Sequence, residues 1–296
     1  MPITHVLLVL LVVIIWGVNF LFVKLSLDEI SPLLLCATRF FLASVPAIFF
    51  IKLPAGQFRI VALYGLVMFA MQFLFLFIGM RAGMTPGMAS LIMQVQVFFS
   101  MFFAALLLNE MPRIWQVIGA CISFLGIGVV AMHFDSHVSL TGFIFILAAA
   151  ASWGIGNLIT KRADNMNMFV LVIWGSFVAC FPTLFLSFII EGPKNILTTY
   201  QHVTWLGLTS LFYIVFASTW IGYGIWNWLL SRHRVGLIVP FTLLVPIVGV
   251  LTSVLILDEP LQTWKLTAGF LVIAGLVINL GLFRSRSIIS PASLNE

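Results

Sequence analysis

Residues 16–24, WGVNFLFVK, return at residues 153–161 as WGIGNLITK, with Trp, Gly, Leu and Lys at a constant offset of 137. A second set of matches follows. Gly87, Glu110, Trp115 and Gly126 have counterparts in Gly236, Glu259, Trp264 and Gly275, all at an offset of 149. Similarity repeated at a long period marks an internally duplicated architecture, and the change of offset gives the second copy 12 additional residues between the two sets.

Composition says in what solvent the two copies fold. Of 296 residues, 62% are hydrophobic and only 8% charged, whereas a soluble domain carries roughly 25% charged side chains. Water is therefore not the main solvent. Between the charges run apolar stretches near 4–23, 33–51, 60–79, 86–108, 114–132, 140–160, 168–190, 204–229, 235–257 and 264–283, matching the roughly 20 residues that cross a bilayer as helix. The short alternating segments of a β-barrel are missing. The expected fold is thus an all-α integral membrane protein of about ten transmembrane helices, with repeats over 1–136 and 137–286 and a polar tail over 287–296. Five helices per repeat is an odd number, so the second copy enters the membrane from the opposite side. In carriers, such inverted repeats hold the solute near the midplane and exchange conformations to give alternating access.

Charge placement sets the orientation. An N-terminus inside puts Lys52, Arg59, Arg113, Lys161, Arg162, Arg232, Arg234, Arg284 and Arg286 in the cytoplasm, against Lys24, Arg81, Lys194 and Lys265 outside. The positive-inside rule then predicts a multi-pass inner (plasma) membrane protein with both termini cytoplasmic. These basic residues are scattered and form no patch, which argues against nucleic acid despite the net charge of +5. No Lys or Arg precedes the first apolar run and no small-residue cleavage site follows it, so that run is expected to stay as a membrane helix. Cys36, Cys121 and Cys180 fall inside apolar runs without metal-ligand or disulfide spacing, and read as packing residues.

The motifs WGVNFLFVK, ATRF, PAIFF, GMASLIMQVQVFF, LLNE, SWGIGN, GYGIWNWLLSR, PFTLLVPIVG and LILDEP, in this order from about residue 5 to residue 283, resemble the EamA family of the drug/metabolite transporter superfamily. Within it the chain is similar to inner-membrane exporters of amino-acid metabolites, the cysteine and O-acetylserine type. The resemblance implies an amino acid or related metabolite as solute; the lipid bilayer follows from composition, and no cofactor is expected.

Buried polar residues are the candidates for binding such a solute. Arg39 is the one ionisable residue well inside a predicted span, where an arginine costs roughly 2.5–3.5 kcal/mol on insertion scales. It suits a carboxylate through a bidentate pair, or it snorkels to the outer interface or binds helix-end carbonyls. Asn19, Gln72, Gln94, Gln96, Asn157 and Asn227 would be unsatisfied against lipid and should point inward. Gly87, Ser90 and Gln94 share a helical face at i, i+3, i+7, as do Trp220, Tyr223 and Asn227 on the eighth span. An amide both donates and accepts, as a zwitterion demands, and aromatic faces attract an ammonium; interhelical hydrogen bonding and packing are the structural alternatives. Trp226 and Trp228 read as an interfacial aromatic belt. Lys24 and Lys161 read as snorkelling to headgroups, and Glu110 and Glu259 as acids at the starts of the helices that follow them.

Chemistry finds little support. His5, His133, His137, His202 and His233 are terminal or in loops, and His133, Asp135 and His137 read as a solvated cluster instead of a metal site. No zinc-protease helix, phosphate-binding Gly-Lys loop or Gly-rich nucleotide fingerprint occurs, so an intramembrane enzyme and ATP drive are both disfavoured. A passive channel would use the same polar interior, and the sequence does not separate it from a carrier.

Overall fold

The computed structural model describes residues 1–132, 139–163, 166–257 and 262–279. The His133, Asp135 and His137 cluster, Glu259, Pro260, Arg284, Arg286 and the 287–296 tail lie outside the described residues.

Among the described residues every regular element is helical, which is how a chain in lipid satisfies its own backbone. In chain order these are α1 (Ile3–Glu29), α2 (Pro32–Ile48), α3 (Phe58–Arg81), α4 (Pro86–Leu108), α5 (Ile114–Ala131), α6 (Leu140–Arg162), α7 (Met168–Glu191), the short polar α8 (Pro193–His202), α9 (Trp205–Arg232), α10 (Val235–Ile256) and α11 (Thr263–Asn279). Seven of them, α1, α3, α4, α6, α7, α9 and α10, are long and apolar enough to cross a membrane. Shorter apolar helices cover Pro32–Ile48, Ile114–Gly126 and Leu266–Asn279. The protein is therefore a multi-pass membrane protein.

Local chemistry sets the helix ends. Pro32, Pro86 and Pro193 occupy first turns, where a missing N–H costs nothing. The side chains of Ser139 and Asn167 accept from Gly142 N (3.2 Å) and Phe169 N (2.8 Å) at the starts of α6 and α7. Asn109, with φ 55°, closes α4 in the left-handed conformation that asparagine tolerates.

Some departures from α-helical geometry recur at the spacing of the sequence matches, although the π-helical Ser187–Glu191 end of α7 has none in α2. Within α3, residues Gly65–Met71 widen into π-helical turns, and within α9 residues Ile214–Tyr223 do the same, the two starting 149 residues apart. Within α4, Met93–Val95 tightens into a 3-10 turn, matched in α10 by Val239–Leu244. Packing follows the same correspondence. α1 lies against α9 and α10, its counterpart α6 lies against α3 and α4, and the mates α2 with α7 and α5 with α11 meet each other. Small residues permit the closest crossings: a Cβ on Gly65 would strike the backbone of Gly175, and one on Gly119 the backbone of Gly275.

Candidate solute site

Where α1, α3, α4, α6, α9 and α10 converge lies a cavity of about 30 Å³, room for on the order of two water molecules. The two motif tryptophans meet over it. Trp16 of α1 and Trp153 of α6 pack edge to face, ring centroids 5.0 Å apart at 83°. Tyr223 lies 4.9 Å from Trp16, and its hydroxyl donates to Gln72 Oε1 at 3.2 Å. Asn19, Phe73, Gln94 and Ser218 complete the polar and aromatic wall.

Three polar atoms of lining residues have no protein partner although they are buried: Asn19 Oδ1, Gln94 Oε1 and Trp153 Nε1. The other end of the Gln94 amide is fixed, Nε2 donating to Ser90 O at 2.9 Å. Unsatisfied buried groups are rare and costly, so three around one small void call for an explanation.

Arg39 stands one side chain behind this wall. It is fully buried. Its Nε donates to Thr219 Oγ1 at 2.9 Å and Nη2 to Ser218 Oγ at 3.5 Å, while Nη1 has no partner. The guanidinium carbon lies 3.8 Å from the centroid of the Phe73 ring. Both hydroxyls come from the wide turns of α9, where Thr219 Oγ1 itself donates to Ile214 O, five residues back, at 2.9 Å. Among the described residues no carboxylate pairs with Arg39, so its charge is left for an anion or a dipole to balance.

Deeper toward one end the amides tie helices together. Asn157 Nδ2 donates to Ser100 Oγ (2.9 Å) and Asn157 Oδ1 accepts from Trp226 Nε1 (3.0 Å). Asn227 Nδ2 donates to Tyr64 OH at 2.9 Å, and Gln96 Nε2 reaches Thr242 Oγ1.

Of the residues the sequence singles out, Asn19, Gln72, Gln94 and Tyr223 line the cavity, Arg39 backs it, and Asn157 and Asn227 belong to the amide ties. Ser90 faces elsewhere, donating to Gly87 O at 2.7 Å. Trp220 is displaced from the face it was expected to share with Tyr223: it donates to Ala43 O at 2.7 Å and packs on Phe169. The i, i+3, i+7 rule assumes α-helical turns, and the π-helical stretch changes the register. Trp226 is fully buried, not interfacial. The residues the sequence reading left out of the site are Trp16, Trp153, Phe73, Ser218 and Thr219. Both tryptophans are positions of the repeated motif.

The termini of the bundle are also closed by side chains. At one, Lys161 Nζ donates to His233 O (2.8 Å) and Leu230 O (3.3 Å) and lies 4.0 Å from Glu110, instead of snorkelling outward. Glu110 Oε2 accepts from Val235 N at 3.1 Å, so it caps α10 across the interface and not the helix that follows it. At the other, Glu29 accepts from Thr204 N (2.8 Å) and Oγ1 (2.6 Å), and Glu191 from Leu33 N (2.9 Å) and Leu34 N (3.1 Å).

A polytopic helical bundle packed around a small polar junction is the architecture of a membrane transporter. The chain belongs to the EamA-like transporter family, whose profile matches it twice, at residues 3–132 and 140–281. It is 36% identical over 285 residues to a "Probable amino-acid metabolite efflux pump" of Salmonella typhimurium, covering 94% of this chain and 95% of that one. A protein of the same name from Escherichia coli K12 is 35% identical over 294 residues, covering 97% and 98%. A solved crystal structure superposes with a TM-score of 0.72 at 16% identity, covering 95% of this chain and 98% of that one.

Proposed function

We propose that this transporter moves amino acids or closely related metabolites outward across the inner membrane, by alternating access between two inverted five-helix repeats over 1–136 and 137–286, with both termini cytoplasmic. The observation that carries the substrate class is the pairing of an uncompensated arginine with unpartnered acceptors around one cavity. A zwitterion supplies what is missing. Its carboxylate suits Arg39 Nη1 and the Trp153 N–H, and its ammonium suits Asn19 Oδ1, Gln94 Oε1 and the faces of Trp16 and Tyr223. The names of the two relatives support the same class.

The cavity is too small for an amino acid, so solute entry requires the two halves to part, as alternating access demands. No carboxylate or imidazole lines it, which favours exchange or downhill movement over obligatory proton coupling.

Counterflow in proteoliposomes across an amino-acid panel tests the reading. A transported solute should show saturable counterflow, and Gln94→Leu or Arg39→Ala should lower it about tenfold or more, the loss of one charge-assisted contact, while insertion and purification stay normal. Wild-type affinity and rate in both variants would assign these residues to packing, and unsaturable flux would indicate a channel.

A further inference from the structure

A second and larger cleft, about 450 Å³, opens at the Lys161 end, where the end of α4, the first turn of α5, the start of α10 and the end of α11 meet. That volume falls within the roughly 300–1,000 Å³ of small-molecule sites. Arg113 and Arg234 line it; both are exposed, and their guanidinium groups have no partner among the described residues. The cleft's carboxylate, Glu110, is already engaged by Lys161 and Val235 N. Of its amides, Gln116 Nε2 donates to Gly236 O at 2.7 Å and Asn279 Nδ2 to Gln116 O at 3.0 Å, and the remaining Asn279 Oδ1 is a neutral acceptor without a partner. The free charge is therefore positive, one guanidinium coming from each repeat.

The rim is apolar and open. Met111, Ile114, Trp115 and Leu237 are 74%, 64%, 46% and 39% exposed, and Ile118 continues the exposed face one turn along α5. A free solute has no use for that rim, whereas a phospholipid brings a phosphate and acyl chains together, with tryptophan placed at headgroup level.

We propose that this cleft binds the headgroup of an anionic phospholipid, its phosphate between Arg113 and Arg234 and its chains along Ile114, Ile118 and Leu237. Because the two arginines belong to different repeats, a bound headgroup bridges them at the end where Glu110 and Lys161 also meet. The site is separate from the central cavity and does not depend on which solute is carried.

Native mass spectrometry of the full chain in detergent tests the proposal, with short-chain phosphatidylglycerol, phosphatidylcholine of the same chains, and inorganic phosphate as probes. Wild-type protein should retain phosphatidylglycerol at about tenfold lower concentration than phosphatidylcholine, and Arg113→Gln with Arg234→Gln should erase that preference. Both side chains are exposed, so the variant should fold; unchanged thermal unfolding checks this, and Arg113→Lys with Arg234→Lys should keep part of the preference through charge alone. Equal retention of the two lipids by wild type, or a preference surviving in the glutamine variant, overturns the proposal. So does inorganic phosphate binding as tightly as the lipid, which marks a free-anion site, or a dimer that excludes lipid, which gives the cleft to a second copy.

Discussion

The motif W-G-x-x-x-L-x-x-K occurs twice, and its two copies make different contacts. In the first, Trp16 Nε1 donates to Ser218 O at 3.2 Å, and Lys24 pairs with Asp28 of its own helix, the two side chains 41% and 53% exposed. In the second, Trp153 Nε1 has no partner, and Lys161 reaches across to two carbonyls and to Glu110, the two side chains 21% and 19% exposed. Identical residue types at matched positions thus make different contacts: Trp16 bonds across to α9 while Lys24 stays on its own helix, and Trp153 is unpartnered while Lys161 bonds the α9–α10 turn and lies near Glu110 of the other half. The motif lysine thus ties the Lys161 end, whereas the other end is tied by Glu29 and Glu191 and Lys24 serves only its own helix.

The lysines give the largest expected difference. Replacing Lys161 by Met removes charge-assisted hydrogen bonds of about 1.5–3 kcal/mol from the closed end, whereas the exposed Lys24–Asp28 pair is worth well under about 1 kcal/mol. With Cys36, Cys121 and Cys180 replaced and a single reporter at Leu76→Cys, a residue of α3 that also lines the cavity, a membrane-impermeant thiol reagent applied from the Lys161 side should react about tenfold faster in Lys161→Met. Lys24→Met should change it less than about twofold. Equal effects would mean that the two copies do equivalent work.

The tryptophans sharpen the comparison at the cavity. Trp16→Phe breaks a satisfied bond and should cost about 1 kcal/mol of stability, read by thermal unfolding in detergent. Trp153→Phe removes a buried donor with no protein partner, so stability should hold or rise while apparent solute affinity falls by several-fold. A stability loss as large as that of Trp16→Phe, with unchanged affinity, would show the Trp153 N–H to be idle.

How far the sequence reached is clear from the amides and aromatics. Asn19, Gln72 and Gln94 were legible as inward-facing because lipid offers an amide no partner. Asn157 and Asn227 carry the same signal, yet their hydrogen bonds go to Trp226, Ser100 and Tyr64. Composition cannot separate an amide that ties helices from one that lines the cavity, since both are simply buried. Trp220 falls off the face it would share with Tyr223 because the π-helical turns of Ile214–Tyr223 break the i, i+3, i+7 register and leave no periodic mark in the sequence. The repeat, by contrast, was readable from residue identity alone, and it named Trp16 and Trp153 before any geometry did. Lys161 reads as a snorkelling side chain until the α9–α10 turn brings the carbonyls of Leu230 and His233 within its reach.

The smallest expected effect concerns that same turn. His5 Nδ1 and His233 Nε2 lie 2.8 Å apart, joining the start of α1 to the α9–α10 turn. One ring must donate and the other accept, and two imidazoliums cannot form the bond. Burial first, then His5, the N-terminal amine, Lys161 and Arg232, hold His233 below its ordinary value; Glu110, 4.0 Å from Lys161, is the carboxylate facing this group of charges. The closed end therefore binds fewer protons than the parted one. Its stability is full above the ordinary histidine value near 6.5 and is lost as pH falls below it. Labelling of the Leu76→Cys reporter from this side should accordingly rise a few-fold between pH 8 and pH 5.5, after correction for the reagent's own pH dependence, because the pair is only partly shielded from water. His233→Gln should flatten the profile, and Lys24→Met should leave its shape intact. A profile of wild-type steepness in His233→Gln would remove the histidine pair from the closure and leave Lys161 and Glu110 to hold that end alone.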